Sequence, residues 1–238
     1  MAHGERSESG FLVLADISGF TAFVTATELE HGADVTGVLL DGVMAALAPP
    51  FEIQELEGDA VFALASDDAR EARDRALLDA FDRAFAAFSE RQQEIALDMS
   101  CSCRACRGVL GLSLKLIVHH GSFMRQVVRG KSRLAGPDII LAHRFLKNDV
   151  EPRTYVLFTD AAVERLGIDP DAAGMARYTG KYAHFDDRDY FVAALDRFGR
   201  RGEGVSSEML LGLRSLLGEL TLGADPRTED DLRSVVAA

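Results

Sequence analysis

The chain has 238 residues, with 26 Lys+Arg against 38 Asp+Glu and a formal net charge of −12. That acid excess counts against a reader of nucleic-acid backbones, which needs a basic face; 47% hydrophobic and 27% charged residues are the composition of a globular protein with a real core. There is no run of about 18 apolar residues to cross a membrane, and the polar start Met1–Gly10 has no apolar signal region, so the expectation is a cytoplasmic protein.

After a polar tail over 1–9, the short apolar run Phe11–Ala15 predicts a buried strand ending in a turn at Asp16-Ile17-Ser18-Gly19-Phe20. Helical spacing follows from Thr21 to Ala48, with a break expected near His31-Gly32, and Pro49-Pro50 ends it. Phe51–Leu56 alternates apolar and polar, and Ala60–Ala65 is apolar throughout. Together they predict a hairpin with Glu57-Gly58-Asp59 at its tip. From Ala69 to Ala96, Leu77, Phe81, Phe85 and Phe88 form one helical stripe.

Leu112–His119 reads as a strand, and Gly121 as a turn into a second strand, Phe123–Val128. Gly136-Pro137-Asp138 opens a helix through Leu146, with proline near the first turn. Tyr155–Phe158 and Tyr190–Leu195 are further strands, with a short helix at Ala161–Leu166. A Gly- and Arg-rich linker, an amphipathic helix at Ser207–Leu220 and a polar tail fill 196–238. The order strand, helix, hairpin, helix, strand predicts an α/β (α+β) ferredoxin-like βαββαβ sandwich over 10–195, with an extra C-terminal strand and helix. Helices are expected on one face of an antiparallel sheet.

Two clusters carry chemistry. The only cysteines are Cys101, Cys103 and Cys106, packed into six residues. An odd, tight set is no secreted disulfide framework. Its spacing suits a zinc ion, with His119 or His120 on the next strand, a water or a partner chain as fourth ligand. A Cys103–Cys106 redox pair and three plain thiols are the alternatives. The second cluster is Asp16 at a strand end and Asp59 at the hairpin tip. A βαββ unit can bring both to one sheet edge, where two carboxylates and a backbone carbonyl suit Mg²⁺ or Mn²⁺; as isolated residues they read equally as turn formers.

The wording around these acids is more specific. Ala15-Asp16-Ile17-Ser18-Gly19-Phe20-Thr21 and Glu57-Gly58-Asp59-Ala60-Val61-Phe62 resemble the two metal motifs of class III adenylyl and guanylyl cyclases. Lys115-Leu-Ile-Val-His119-His120-Gly121 resembles their next strand, and Gly136–Arg144 the helix that carries their transition-state residues. With its cysteine run, the chain resembles a bacterial branch of cyclase-like proteins rather than the well-studied enzymes.

The resemblance implies that Asp16, Asp59 and the backbone carbonyl of Ile17 hold two divalent ions, one activating the ribose 3′-hydroxyl and one binding the triphosphate. It implies phosphate contacts at Gly19, Phe20, Thr21 and Lys115, and a head-to-tail homodimer whose site takes its metal acids from one chain and Arg144 from the other. The base-reading Lys of the adenylyl enzymes is Glu55, which can accept from guanine N1–H, as in guanylyl cyclases. The partner base-reading position falls near Arg133, which matches neither pattern, and the transition-state Asn is Ile140.

Three readings follow: a module that binds a metal–purine nucleoside triphosphate with cyclase activity weak or lost; an active, guanine-selective cyclase, a phosphorus–oxygen lyase; or a zinc or redox sensor on a cyclase scaffold.

Overall fold

The computed structural model describes residues 7–67, 71–98, 101 and 103–195. The expected linker, amphipathic helix and tail of 196–238 lie outside the described residues. The order is β1 (Glu8–Ser18), α1 (Phe20–Ala26), α2 (Leu29–Leu47), β2 (Glu52–Glu57), β3 (Ala60–Ser66), α3 (Glu71–Leu97), α4 (Arg104–Gly108), a 3-10 turn (Val109–Gly111), β4 (Ser113–Val128), β5 (Lys131–Ala135), α5 (Pro137–Arg144), β6 (Tyr155–Thr159), α6 (Asp160–Leu166), β7 (Ala176–Gly180) and β8 (Arg188–Ala194). Among the described residues no helix is long and apolar enough to cross a membrane.

The strands form one sheet in the order β2-β3-β1-β4-β6-β8-β7, with β5 hairpinned onto the far end of β4. The first four are the antiparallel ladder of a βαββαβ unit; β6 joins β4 in parallel, so the sheet is mixed rather than antiparallel throughout. Side chains alternate across the sheet. Phe11, Val13, Ala15 and Ile17 face a core with Leu39 and Val43 of α2 and Phe81, Phe85 and Phe88 of α3. Leu12 and Leu14 face a second core with Leu141, Ala142 and Phe145. Helices therefore cover both faces, not one: α5 lies opposite α2 and α3. Coverage on both sides explains why the central strands read as unbroken apolar runs. Each large core side chain contributes about 1.5–3 kcal/mol of transfer free energy.

Two local expectations are corrected. The helical break falls at Thr27-Glu28, where Glu28 is extended (φ −68°, ψ 131°), and not at His31-Gly32. Gly32 sits inside α2 because a Cβ there would stand 2.9 Å from Thr27 Oγ1. Gly121 likewise makes no turn. It lies within the continuous 16-residue β4, where a Cβ would meet the Asp138 side chain at 2.5 Å. The real turn is at Arg129-Gly130, both at positive φ (52° and 78°), and it leads into β5, a strand that the alternation pattern did not reveal; β7 was missed as well.

Candidate functional site

Register builds the site on the α5 face of the sheet. Asp16 pairs with Ala60 on one side and with Lys115 on the other, and Glu57 and Tyr155 extend that row across five strands. Directly opposite residues share a face. Lys115 Nζ accordingly reaches Asp16 Oδ2 at 2.9 Å, each side chain 17% exposed, and Nζ also lies 3.4 Å from the Leu146 carbonyl. The Ile17 N–H donates to the Asp59 carbonyl at 3.2 Å, which ties the hairpin tip to the end of β1. Burial, and then the nearby Asp16 carboxylate, pushes the Asp59 carboxyl above its ordinary range. Two acids and one cation are thus brought together, with oxygen donors of the kind a hard divalent ion takes. The Ile17 side chain is buried on the opposite face, so only its backbone is available to the site.

Gly19 follows in a left-handed conformation (φ 89°) that favours glycine. It caps α1, so Phe20 and Thr21 form the first turn beside the acids. Gly19 leans on the 3-10 turn, where a Cβ would lie 3.6 Å from the Gly111 carbonyl.

Glu55 and Arg133 come together at 3.7 Å, both about half exposed. They line a cleft of about 310 Å³ between β2, β5 and α5, floored by Phe62 and Ile139. A register shift between Ile53 and Glu55 sets Glu55 opposite Phe62, on the cleft side. His143 at the cleft wall was not singled out by the sequence. Its Nε2 stands 3.0 Å from Glu57 Oε1 and its Nδ1 2.7 Å from the Ile139 carbonyl, latching α5 to the hairpin tip. The 86-residue separation of His143 and Glu57 leaves no local signal for that contact. Arg144 and Ile140 are both exposed on α5, one helical turn apart, Ile140 by 54%.

The cysteines gather as expected, but with a different histidine. His31, Cys101, Cys103 and Cys106 offer ligand atoms all within 4.8 Å of one another. The fourth member comes from α2, not from His119 or His120. His119 is buried, with Nδ1 2.9 Å from Thr159 Oγ1 and Nε2 3.5 Å from Asp138 Oδ1. His120 Nε2 lies 2.8 Å from Asp67 Oδ2. Cys103 is the N-cap of α4, its sulfur accepting the Cys106 N–H at 3.3 Å. That hydrogen bond, and then His31, lowers the Cys103 thiol to about 6, while the Cys103 sulfur beside it pushes Cys106 to about 12.

Among solved structures the chain is similar to the adenylyl cyclase CyaB from P. aeruginosa, with 17% identity and a TM-score of 0.57 over 84% of this chain and 98% of that one. It is also similar to the guanylate cyclase domain of RhGC from Catenaria anguillulae in complex with GTP, with 14% identity and a TM-score of 0.53 over 79% and 98%. The fold is that of class III adenylyl and guanylyl cyclase domains. In sequence the chain is 34% identical over 137 residues to the uncharacterized protein Rv2561/Rv2562 of Mycobacterium tuberculosis, covering 54% of this chain and 58% of that protein. It therefore spans a little over half the length of that relative. A family described as "Protein of unknown function (DUF2652)" matches residues 36–155, half of the sequence, and the chain belongs to that family.

Proposed function

We propose that the chain binds a complex of Mg²⁺ or Mn²⁺ with a purine nucleoside triphosphate between two head-to-tail copies, with cyclase turnover weak or lost. The observation that carries this reading is the Asp16–Lys115 pair beside the raised Asp59 carboxyl. A divalent ion would relieve the repulsion that raises Asp59, and the donor set fits a hard ion. Asp16, Asp59 and the Ile17 carbonyl would hold the ions, which supply charge neutralisation and polarise the reacting oxygens. Lys115 and the Gly19–Thr21 turn would take the phosphates. Glu55 with Arg133 would face the base, and Arg144 would be presented to the nucleotide held mainly by the other copy. A nucleoside triphosphate ligand sets the protein in the cytoplasm. Turnover is weakened because Ile140, where the cyclases place Asn, has no polar side-chain atom to offer the ribose. Loss of one preorganised donor typically costs about 10²–10³ in rate.

Calorimetry with Mn-nucleotide tests this. Wild type should bind only when Mn²⁺ is present, and Asp59→Asn should abolish that binding with the fold intact by circular dichroism. No affinity in wild type at millimolar Mn²⁺ overturns the reading. Light scattering should give a dimer at micromolar concentration.

A second reading, an active guanine-selective cyclase, draws on the Glu55–Arg133 pair in the cleft. Cyclic product from Mn-GTP but not Mn-ATP would favour it.

A further inference from the structure

We propose that His31, Cys101, Cys103 and Cys106 form a closed, tetrahedral zinc site that staples α4 to the start of α2. The ligands arrive from three places: His31 from the first turns of α2, Cys101 from the segment before α4, and Cys103 and Cys106 from the cap and body of α4. Zn–S bonds of about 2.3 Å and Zn–N bonds of about 2.05 Å put the edges of such a tetrahedron at about 3.6 Å between N and S and about 3.8 Å between two sulfurs. The Cys101 Sγ to His31 Nδ1 separation is 3.5 Å, and the whole set fits within 4.8 Å. Closing on one ion therefore needs only small side-chain shifts. That spread suits a single ion; the inorganic sulfides of an iron–sulfur cluster would push the ligands further apart. Three thiolates and an imidazole are soft to borderline donors, which select zinc over the magnesium and manganese suited to the acids on the sheet. Four protein ligands leave no open position, so the site is structural rather than catalytic.

The surrounding contacts hold the ligands in place without the ion. Glu28, three residues before His31, accepts the Arg104 N–H at 3.1 Å and lies 3.5 Å from the Arg104 guanidinium. Gln92 of α3 donates to the carbonyls of Val109 and Leu112 at 2.8 and 2.9 Å, fixing the other end of α4. The Cys106 N–H to sulfur bond orients Cys103. Such a preformed site takes zinc as a folded protein, so removal of the ion loosens a corner instead of unfolding the chain. That corner supports α1: the Phe23 ring lies 3.6 Å from where a Cβ on Gly108 would stand.

The full chain, purified without chelator, should carry close to one zinc per chain by elemental analysis. Cobalt exchanged for zinc should give the thiolate charge-transfer and intense visible bands of a tetrahedral Cys3His ion. His31→Ala should weaken zinc affinity by more than the 10–100-fold typical of losing a merely supporting contact. His31→Cys should keep one ion per chain and shift the cobalt spectrum toward a four-thiolate site, which keeps the proposal testable if the alanine variant folds poorly. Chelation should increase hydrogen exchange in 26–31 and 101–111 while the sheet stays protected. A zinc content near zero with three freely titrating thiols and no uptake of added Zn²⁺, or a His31→Ala protein that binds Zn²⁺ as tightly as wild type, overturns it. These readouts need no nucleotide, so they stand or fall separately from the proposed nucleotide site.

Discussion

Lys115 Nζ stands 2.9 Å from Asp16 Oδ2 across one rung of the β1–β4 ladder. One lysine thereby offsets the charge of an acid that, in the proposed site, would hold a metal. In that site Lys115 would compete with a free divalent ion, yet would assist a triphosphate that brings its own negative charge. Lys115→Met should tighten Mn²⁺ binding in the absence of nucleotide and weaken Mn-nucleotide binding by about tenfold, the scale of one lost charge-assisted hydrogen bond. Titration calorimetry of both ligands checks this. Parallel losses of both affinities would show that Lys115 merely supports the fold.

Ile140 is 54% exposed, with Arg144 one helical turn further on. An exposed isoleucine contributes little to the core, so replacing it is tolerable. If the only missing catalytic group is the amide at this position, Ile140→Asn should raise cyclic-product formation from Mn-nucleotide by about 10²-fold. Adding Arg144→Ala to that variant should remove the gain. A turnover assay of wild type, the single variant and the double variant decides it. No gain from asparagine would mean that the acids and Arg144 do not converge on one ligand in the dimer.

The fold and the acid cluster were legible because their signals are local: an apolar run ending in Asp16, a hairpin with Gly58 at positive φ, and a Phe stripe on α3. What escaped the sequence was set by close approach or by distant register. Gly32 and Gly121 read as breakers, but each is small because a neighbour crosses over it. The sequence offers His119 or His120, a water or a partner chain as fourth member of the cysteine cluster, whereas His31 lies 70 residues before Cys101. It reaches the cluster because Glu28 docks α4 on the α1–α2 junction, a contact no periodicity encodes. β5 escaped because its residues Lys131–Ala135 are mostly exposed and do not alternate.

Asp67 at the end of β3 gathers Ser9 Oγ at 2.8 Å, His120 Nε2 at 2.8 Å and Arg165 at 3.2 Å. Burial raises its carboxyl, but the hydrogen bonds from His120 and Ser9 and the charges of His120 and Arg165 outweigh that and hold it below the ordinary range. An unfolded aspartate titrates near about 3.9. Above that value both states are ionised and the full stabilisation is present. As the pH falls through the unfolded and then the folded value, the unfolded chain takes its proton first and the advantage drains away. Asp67→Asn should therefore cost about 1–2 kcal/mol near neutral pH, a figure kept small by partial exposure. Urea midpoints of variant and wild type should draw together as the pH falls below about 3.9, and meet only once it is below the folded value as well. A difference that does not depend on pH would show that the Asp67 charge is not what stabilises this end of the sheet.

Gly121 offers the sharpest test of how α5 is seated. A Cβ at this position would stand 2.5 Å from Asp138 Cβ and Cγ and 2.6 Å from Oδ2. Asp138 has little room to retreat. Its Oδ2 accepts the Ser122 N–H at 2.7 Å, Oδ1 lies 3.5 Å from His119, and it sits in the first turn of α5. Gly121→Ala must therefore push the N-terminal end of α5 off the sheet, at about 1–3 kcal/mol, the usual cost of overpacking. The same helix carries Ile139 and His143, which line the cleft, so the displacement should also weaken the proposed nucleotide binding at the Glu55–Arg133 cleft. Asp138→Gly removes the three atoms nearest the new methyl, though it costs a hydrogen bond and about 1 kcal/mol of helix propensity. The double variant should consequently be more stable than the sum of the two single losses, with a coupling of about 1 kcal/mol or more. Chemical denaturation of the four proteins in this cycle gives the coupling directly. Strict additivity would mean that β4 bends at Gly121 to admit the methyl, and that contact with Asp138 does not set the position of α5.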